Sequence, residues 1–187
     1  MKHCLIYVPG LGDTSDGFRR RALGLWRVWG VKTIFVPMKW DSEKALQPKQ
    51  IRLENAIKQA KKAGYGVAVI GESAGSTVAI SAAAKHDVQL ITICGVNNPN
   101  MHIALKTQRR APALKPSLSI VKQAFETLNL LHVRTVLPLY DGVVSPKNAS
   151  IQGARNHRIF SFGHSFTITL CLTLLSGYIV HLAKYKS

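Results

Sequence analysis

Six short β-rich runs recur along the chain, at Cys4–Val8, Thr33–Pro37, Gly66–Ile70, Gln89–Cys94, Arg134–Leu139 and Arg158–Ser161. Most are nearly continuous apolar runs. A strand with one wet face alternates apolar and polar residues, whereas a strand covered on both faces has no reason to. Longer helix-like stretches fall between them, at Asp16–Trp29, Lys49–Ala63, Ser73–Lys85, Leu118–Leu128 and Ser165–Lys184. Pro48 and Gly64 bracket the second of these as start and stop signals. Within it Ile51, Ala56, Ile57 and Ala60 make an apolar stripe, with the lysines expected to face away. The alternation predicts a three-layer α/β sandwich: about six mostly parallel strands, helices on both faces, right-handed crossovers. At 187 residues and 47% hydrophobic, the chain suits a single domain over 1–187 with a sizeable core.

Charge excludes less than it first suggests. Lys plus Arg number 25 against 9 Asp plus Glu, a net charge of +16. The basic residues are scattered, as in Arg19-Arg20-Arg21, Lys61-Lys62 and Arg109-Arg110. There is no long basic run and no aromatic-studded recognition motif, which argues for a solvated basic face over specific nucleic-acid binding. Weak association with an anionic membrane surface is compatible with the same charge. Three cysteines, Cys4, Cys94 and Cys171, sit in apolar segments without paired spacing. They read as buried free thiols in a reducing compartment. The first apolar run is too short for a signal peptide, so the expected location is cytoplasmic. Ser165–Leu182 carries no Asp, Glu, Lys or Arg, and its length alone allows a membrane span. Its Ser and Thr content favours one helix buried against the sheet.

One stretch carries chemistry. In "VAVIGESAGSTVAI" a serine stands between two glycines, after a strand and before a helix. Gly71-Glu72-Ser73-Ala74-Gly75 fits G-x-S-x-G. A tight strand-to-helix turn needs small residues on either side and lifts the central hydroxyl above the sheet edge. On these five residues alone, a nucleophile and a helix-capping serine are equally compatible.

A serine hydroxyl needs a base, and the base needs an orienting carboxylate. Of the seven histidines, His164 in "RIFSFGHSF" follows the end of a strand, with His102 its rival on the loop after the fourth strand. Asp141 in "VLPLYDGVVSP" follows the fifth strand and is the only acidic residue after Glu126. Taken alone, Asp141 reads as a turn residue. Together, Ser73, Asp141 and His164 each follow a separate strand, in the order Ser…Asp…His, which three turn residues would share only by coincidence. An oxyanion hole would draw on the glycine loop Pro9-Gly10-Leu11-Gly12 and the amide after the nucleophile. Leu11 and Ala74 are the candidates, with Gly12 an alternative to Leu11. The loop lacks the register of a phosphate-binding motif.

From "VPGLG" through "GESAGS" and "YDGVVSP" to "FGHS", the chain resembles a small, cap-less serine hydrolase of the α/β-hydrolase superfamily. The resemblance implies a Ser73 nucleophile, a His164 general base and an Asp141 orienting acid. It implies hydrolysis of a small acyl ester, thioester or amide through an acyl-enzyme, with no cofactor and no metal. Pro9-Gly10 stands where many relatives carry His-Gly, and the first two strands of the full-size fold are missing. Trp40, Met101, Tyr140 and Val143, on loops at the same sheet edge, are the expected walls of an apolar acyl pocket. Two other readings remain open at this level: a binding protein on the same fold, and an acyltransferase using the same triad.

Overall fold

The computed structural model describes residues 2–184. Six strands form one sheet: β1 (His3–Val8), β2 (Val31–Phe35), β3 (Gly66–Glu72), β4 (Gln89–Ile93), β5 (Val133–Tyr140) and β6 (Arg155–Phe162). Their order is β2-β1-β3-β4-β5-β6, and every neighbouring pair is parallel. Each strand therefore needs a crossover, and helices supply them. These are α1 (Asp16–Leu25), α2 (Gln47–Lys62), α3 (Gly75–His86), α4 (Leu105–Arg110), α5 (Leu114–Ala124), α6 (Pro146–Ala149), α7 (His164–Leu172) and α8 (Ser176–Lys184).

Two apolar layers sandwich the sheet. On one face, Cys4, Ile6 and Val69 pack with Leu53 and Ile57 of α2, Val78 and Ala82 of α3, and Leu118 and Val121 of α5. On the other, Leu5, Tyr7, Ala68 and Ile70 pack with Leu23, Trp26, Ile168, Leu172 and Ile179. Successive strand residues serve opposite layers, so the strands read as unbroken apolar runs. The chain steps from β1 outward to β2, then back past β1 to β3. Loops leaving the C-terminal ends of β1 and β3 therefore diverge and open a crevice between them.

Two segments depart from the sequence reading. The expected helix Ser165–Lys184 is two helices, α7 and α8, bent by 74° at the break. Two tryptophans explain the bend. The Trp26 indole donates to the Leu172 carbonyl at 2.8 Å, and Trp29 donates to Ser176 Oγ at 3.2 Å. Trp29 also lies so close to Gly177 that a Cβ there would sit 2.8 Å from its ring. No single described helix is long and apolar enough to cross a membrane. In α2 the buried stripe is Leu53, Ile57 and Ala60, while Ile51 is exposed. Lys49 does not face away: it is fully buried, and its ammonium donates to the carbonyls of Met38 (2.6 Å), Lys39 (3.0 Å) and Glu43 (2.7 Å). Burial holds its pKa below the ordinary lysine value.

The β5–β6 connection contains only the one-turn α6. On β6, Ser161 bonds Thr167 and Ile159 packs into the layer containing α7 and α8. Arg158, Phe160 and Phe162 point the opposite way, where no long helix covers them, and Phe160 is 83% exposed.

Candidate active site

Strand β3 ends in the elbow. Ser73 has φ +47°, the left-handed region that non-glycine residues rarely occupy. The turn is held from outside. Ser73 N–H donates to the Ile93 carbonyl at 3.0 Å, and its own carbonyl accepts from Val96 N–H at 3.0 Å and Ser76 Oγ at 2.7 Å. The flanking glycines are required by close approach. A Cβ on Gly71 would lie 2.6 Å from Ser76 Cα, and one on Gly75 2.3 Å from the Val8 carbonyl oxygen.

Asp141 opens the loop after β5 and is 7% exposed. Its Oδ1 accepts from the amides of Val143 (2.8 Å) and Val144 (2.9 Å), which leaves Oδ2 to face His164. His164 starts α7 directly after Gly163. The Gly163 amide donates to the Tyr140 carbonyl at 2.8 Å and so ties the end of β6 to the end of β5. The imidazole lies between its two partners: Nδ1 is 2.7 Å from Asp141 Oδ2, and Nε2 is 2.9 Å from Ser73 Oγ. Both lie within hydrogen-bond range. His102, the rival, is exposed on the loop after β4.

The glycine loop after β1 packs directly on the elbow. A Cβ on Gly10 would lie 2.8 Å from Ser73 Cβ. Gly12 has φ +90°, which favours glycine. Among the described residues, the amides of Leu11, Gly12 and Ala74 donate to no protein acceptor. All three remain available to a ligand oxygen.

A cavity of about 350 Å3 opens on Ser73 and His164, walled mainly by Leu11, Phe18, Val143, Ile168 and Leu172. Of the expected wall residues only Val143 lines it. Trp40 is fully buried behind the loop, its indole donating to the Pro9 carbonyl at 3.0 Å. Met101 packs against the core layer of α2, α3 and α5. Tyr140 is 65% exposed and does not border the cavity. The sequence reading missed Phe18, Ile168 and Leu172 because α1 and α7 reach the crevice only through tertiary packing. Two other hollows, of about 570 and 380 Å3, touch none of Ser73, Asp141 and His164.

One group of potential metal ligands lies here: donor atoms of Cys94, Asp141 and His164 fall within 4.8 Å of one another. Burial, reinforced by the charge of Asp141, pushes the Cys94 thiol far above its usual pKa. It is therefore a neutral thiol, whereas metal binding calls for a thiolate. His164 Nδ1 is already engaged by Asp141. These donors suit a hydrogen-bonded relay better than a metal.

No protein-family model and no curated protein matches the sequence. Solved structures do match over nearly the whole chain. The mature Bacillus licheniformis lipase BlEst2 superposes with a TM-score of 0.69 at 16% identity, covering 97% of this chain and 92% of that one. Carboxyl esterase 2 of the fungus Tuber melanosporum gives 0.66 at 13% identity, covering 97% and 74%. A protein of the alpha/beta hydrolase superfamily from Xanthomonas campestris gives 0.64 at 14%, covering 97% and 99%. With its six parallel strands and its helices on both faces, the chain shares the α/β-hydrolase fold of these neighbours.

Proposed function

We propose that the protein is a serine hydrolase cleaving carboxylic esters with a short or medium acyl group. The observation that supports this most is the single imidazole bridging a strained serine and a buried carboxylate, at 2.9 and 2.7 Å. Ser73 Oγ attacks the ester carbonyl carbon while its proton passes to His164 Nε2. Asp141 Oδ2 accepts from Nδ1–H, fixing the tautomer and stabilising the imidazolium. The carbonyl oxygen becomes an oxyanion facing the unspent amides of Ala74 and of Leu11 or Gly12. Collapse expels the alcohol, which takes the proton from His164 and leaves an acyl group on Ser73. Water then attacks the acyl carbon by the same route in reverse, releasing the acid and restoring Ser73 and the neutral imidazole. Phe18, Ile168 and Leu172 give the acyl chain an apolar wall.

The test is covalent labelling by a fluorophosphonate together with turnover of p-nitrophenyl butyrate. Wild type should be labelled at Ser73 and turn over, and Ser73→Ala should do neither. Unlabelled wild type, or an Ser73→Ala variant that still hydrolyses the ester, would refute the assignment.

A further inference from the structure

Beside the elbow, bordering the same cavity through Arg19 and Glu72, lies a charged cluster that the triad does not use. Glu72, the residue before the nucleophile, is 1% exposed, Arg19 of α1 is 6% and Tyr7 of β1 is 0%. Ionised groups are almost never buried this deeply without partners. Here every partner is accounted for. Arg19 Nε donates to Glu72 Oε2 at 2.8 Å and Nη2 to Oε1 at 2.5 Å, a two-pronged pair. The Tyr7 hydroxyl donates to Oε2 from the other side. Burial, then the charge of Glu72, holds the Tyr7 pKa well above its usual value, so the phenol remains a donor.

The remaining donors of Arg19 go to the glycine loop and to Asp16 at the start of α1. Nη1 reaches the Gly12 carbonyl at 2.8 Å and Asp16 Oδ1 at 3.1 Å; Nη2 reaches the Leu11 carbonyl at 3.2 Å. Two successive carbonyls of the loop that carries the candidate oxyanion amides thus end on one guanidinium. In a trans peptide the C=O and N–H point in opposite directions. Holding the Leu11 carbonyl therefore turns the Gly12 N–H away from Arg19. A flip of that peptide would put a carbonyl where an amide is wanted. Such a flip is locally cheap because Gly12 tolerates both signs of φ, so an external clamp is needed to prevent it.

The geometry points to Arg19 as a positioning residue: clamped by Glu72 and Tyr7, it locks the Leu11–Gly12 peptide plane so that the Gly12 amide, not the Leu11 carbonyl, faces the developing oxyanion. The inference rests on the hydrolase reading above. It assigns a task to the second residue of the elbow motif: Glu72 orients Arg19, and through it the loop from β1.

The experiment compares wild type, the charge-balanced double variant Arg19→Met/Glu72→Gln and the single variant Glu72→Gln, each first checked for cooperative thermal unfolding. The readouts are kcat and KM for p-nitrophenyl butyrate, and binding of two inhibitors. One is an alkyl boronic acid that forms an anionic tetrahedral adduct with serine; the other is the matching neutral amide, which resembles only the ground state. The double variant should lose about 10- to 100-fold in kcat, with KM within about twofold, since losing one oxyanion donor costs about 10²–10³-fold. Boronate affinity should fall in parallel, while amide binding stays unchanged. If the double variant does not fold, Glu72→Gln decides, with a loss of about tenfold expected in the same two readouts. A folded variant with wild-type kcat and boronate affinity overturns the inference, as does equal weakening of boronate and amide. Inactive wild type would instead overturn the hydrolase reading, so the two failures are distinguishable.

Discussion

Replacing Gly10 by alanine tests whether the glycine loop is built against Ser73. The added methyl would sit 2.8 Å from Ser73 Cβ and 3.1 Å from the Glu72 carbonyl oxygen. Carbon atoms rest at about 3.5–4.0 Å, so loop and elbow must separate by roughly 0.7–1.2 Å. Neither side yields easily, because the loop is tied to Arg19 and the elbow to Ile93 and Val96. Overpacking of this kind costs about 1–3 kcal/mol, which at this chain length lowers Tm by about 2–12 °C. The kinetic effect should be larger: a misplacement of about 1 Å between nucleophile and oxyanion donors costs on the order of 10²-fold in rate. The assay is kcat and KM on p-nitrophenyl butyrate alongside thermal unfolding. The control is Gly24→Ala in α1, where nothing lies within 4 Å of the new methyl. That helical replacement should stabilise by about 0.5–1 kcal/mol and leave turnover unchanged. A Gly10→Ala enzyme that unfolds at the wild-type temperature and keeps kcat within about twofold would refute the packing argument.

Other outcomes follow from the same geometry. Asp141→Asn keeps the shape but presents the wrong partner to His164 Nδ1, and kcat should fall about 10⁴-fold with the fold intact by circular dichroism. Trp26→Phe strands the Leu172 carbonyl at the α7–α8 break, and should cost about 1–3 kcal/mol in urea unfolding. Arg110→Ala removes the two-pronged pair with Asp41, a mostly exposed contact worth less than about 1 kcal/mol. Hydrogen bonding from Arg110 holds the Asp41 carboxyl below its usual pKa. Its contribution is therefore complete above the ordinary carboxylate range and lost as pH falls through Asp41's own titration. The stability gap between wild type and Arg110→Ala should close on acidification, and a gap unchanged by pH would show the pair to be inert.

The strands were legible in the sequence because a doubly covered parallel sheet leaves unbroken apolar runs, and Cys4–Val8 or Gln89–Cys94 could hardly be anything else. The three candidate site residues were legible for a related reason: each follows such a run, and parallel strands all end on one edge. What the sequence hid is tertiary. Within Ser165–Lys184 only Ser176-Gly177 hints at a break; Trp26 and Trp29, almost 150 positions away, hold it. Trp40 looked like a pocket wall, yet Lys39 takes φ +50° and the chain folds back to bury the indole. Arg19 appeared as one more member of a scattered basic surface. A signal did exist in Glu72, a carboxylate closing an apolar strand, which a buried position obliges to find a cation.

The break between α7 and α8 also bears on how the protein is made. These two helices are translated after all six strands, yet they complete the side of the sheet that Leu23 and Trp26 cover only in part. While the chain is still emerging from the ribosome, the rest of that side lies open to water and to other apolar chains. The imidazole of His164 arrives at the first residue of the covering segment. Closure of this layer and the meeting of His164 with Ser73 and Asp141 are thus one event.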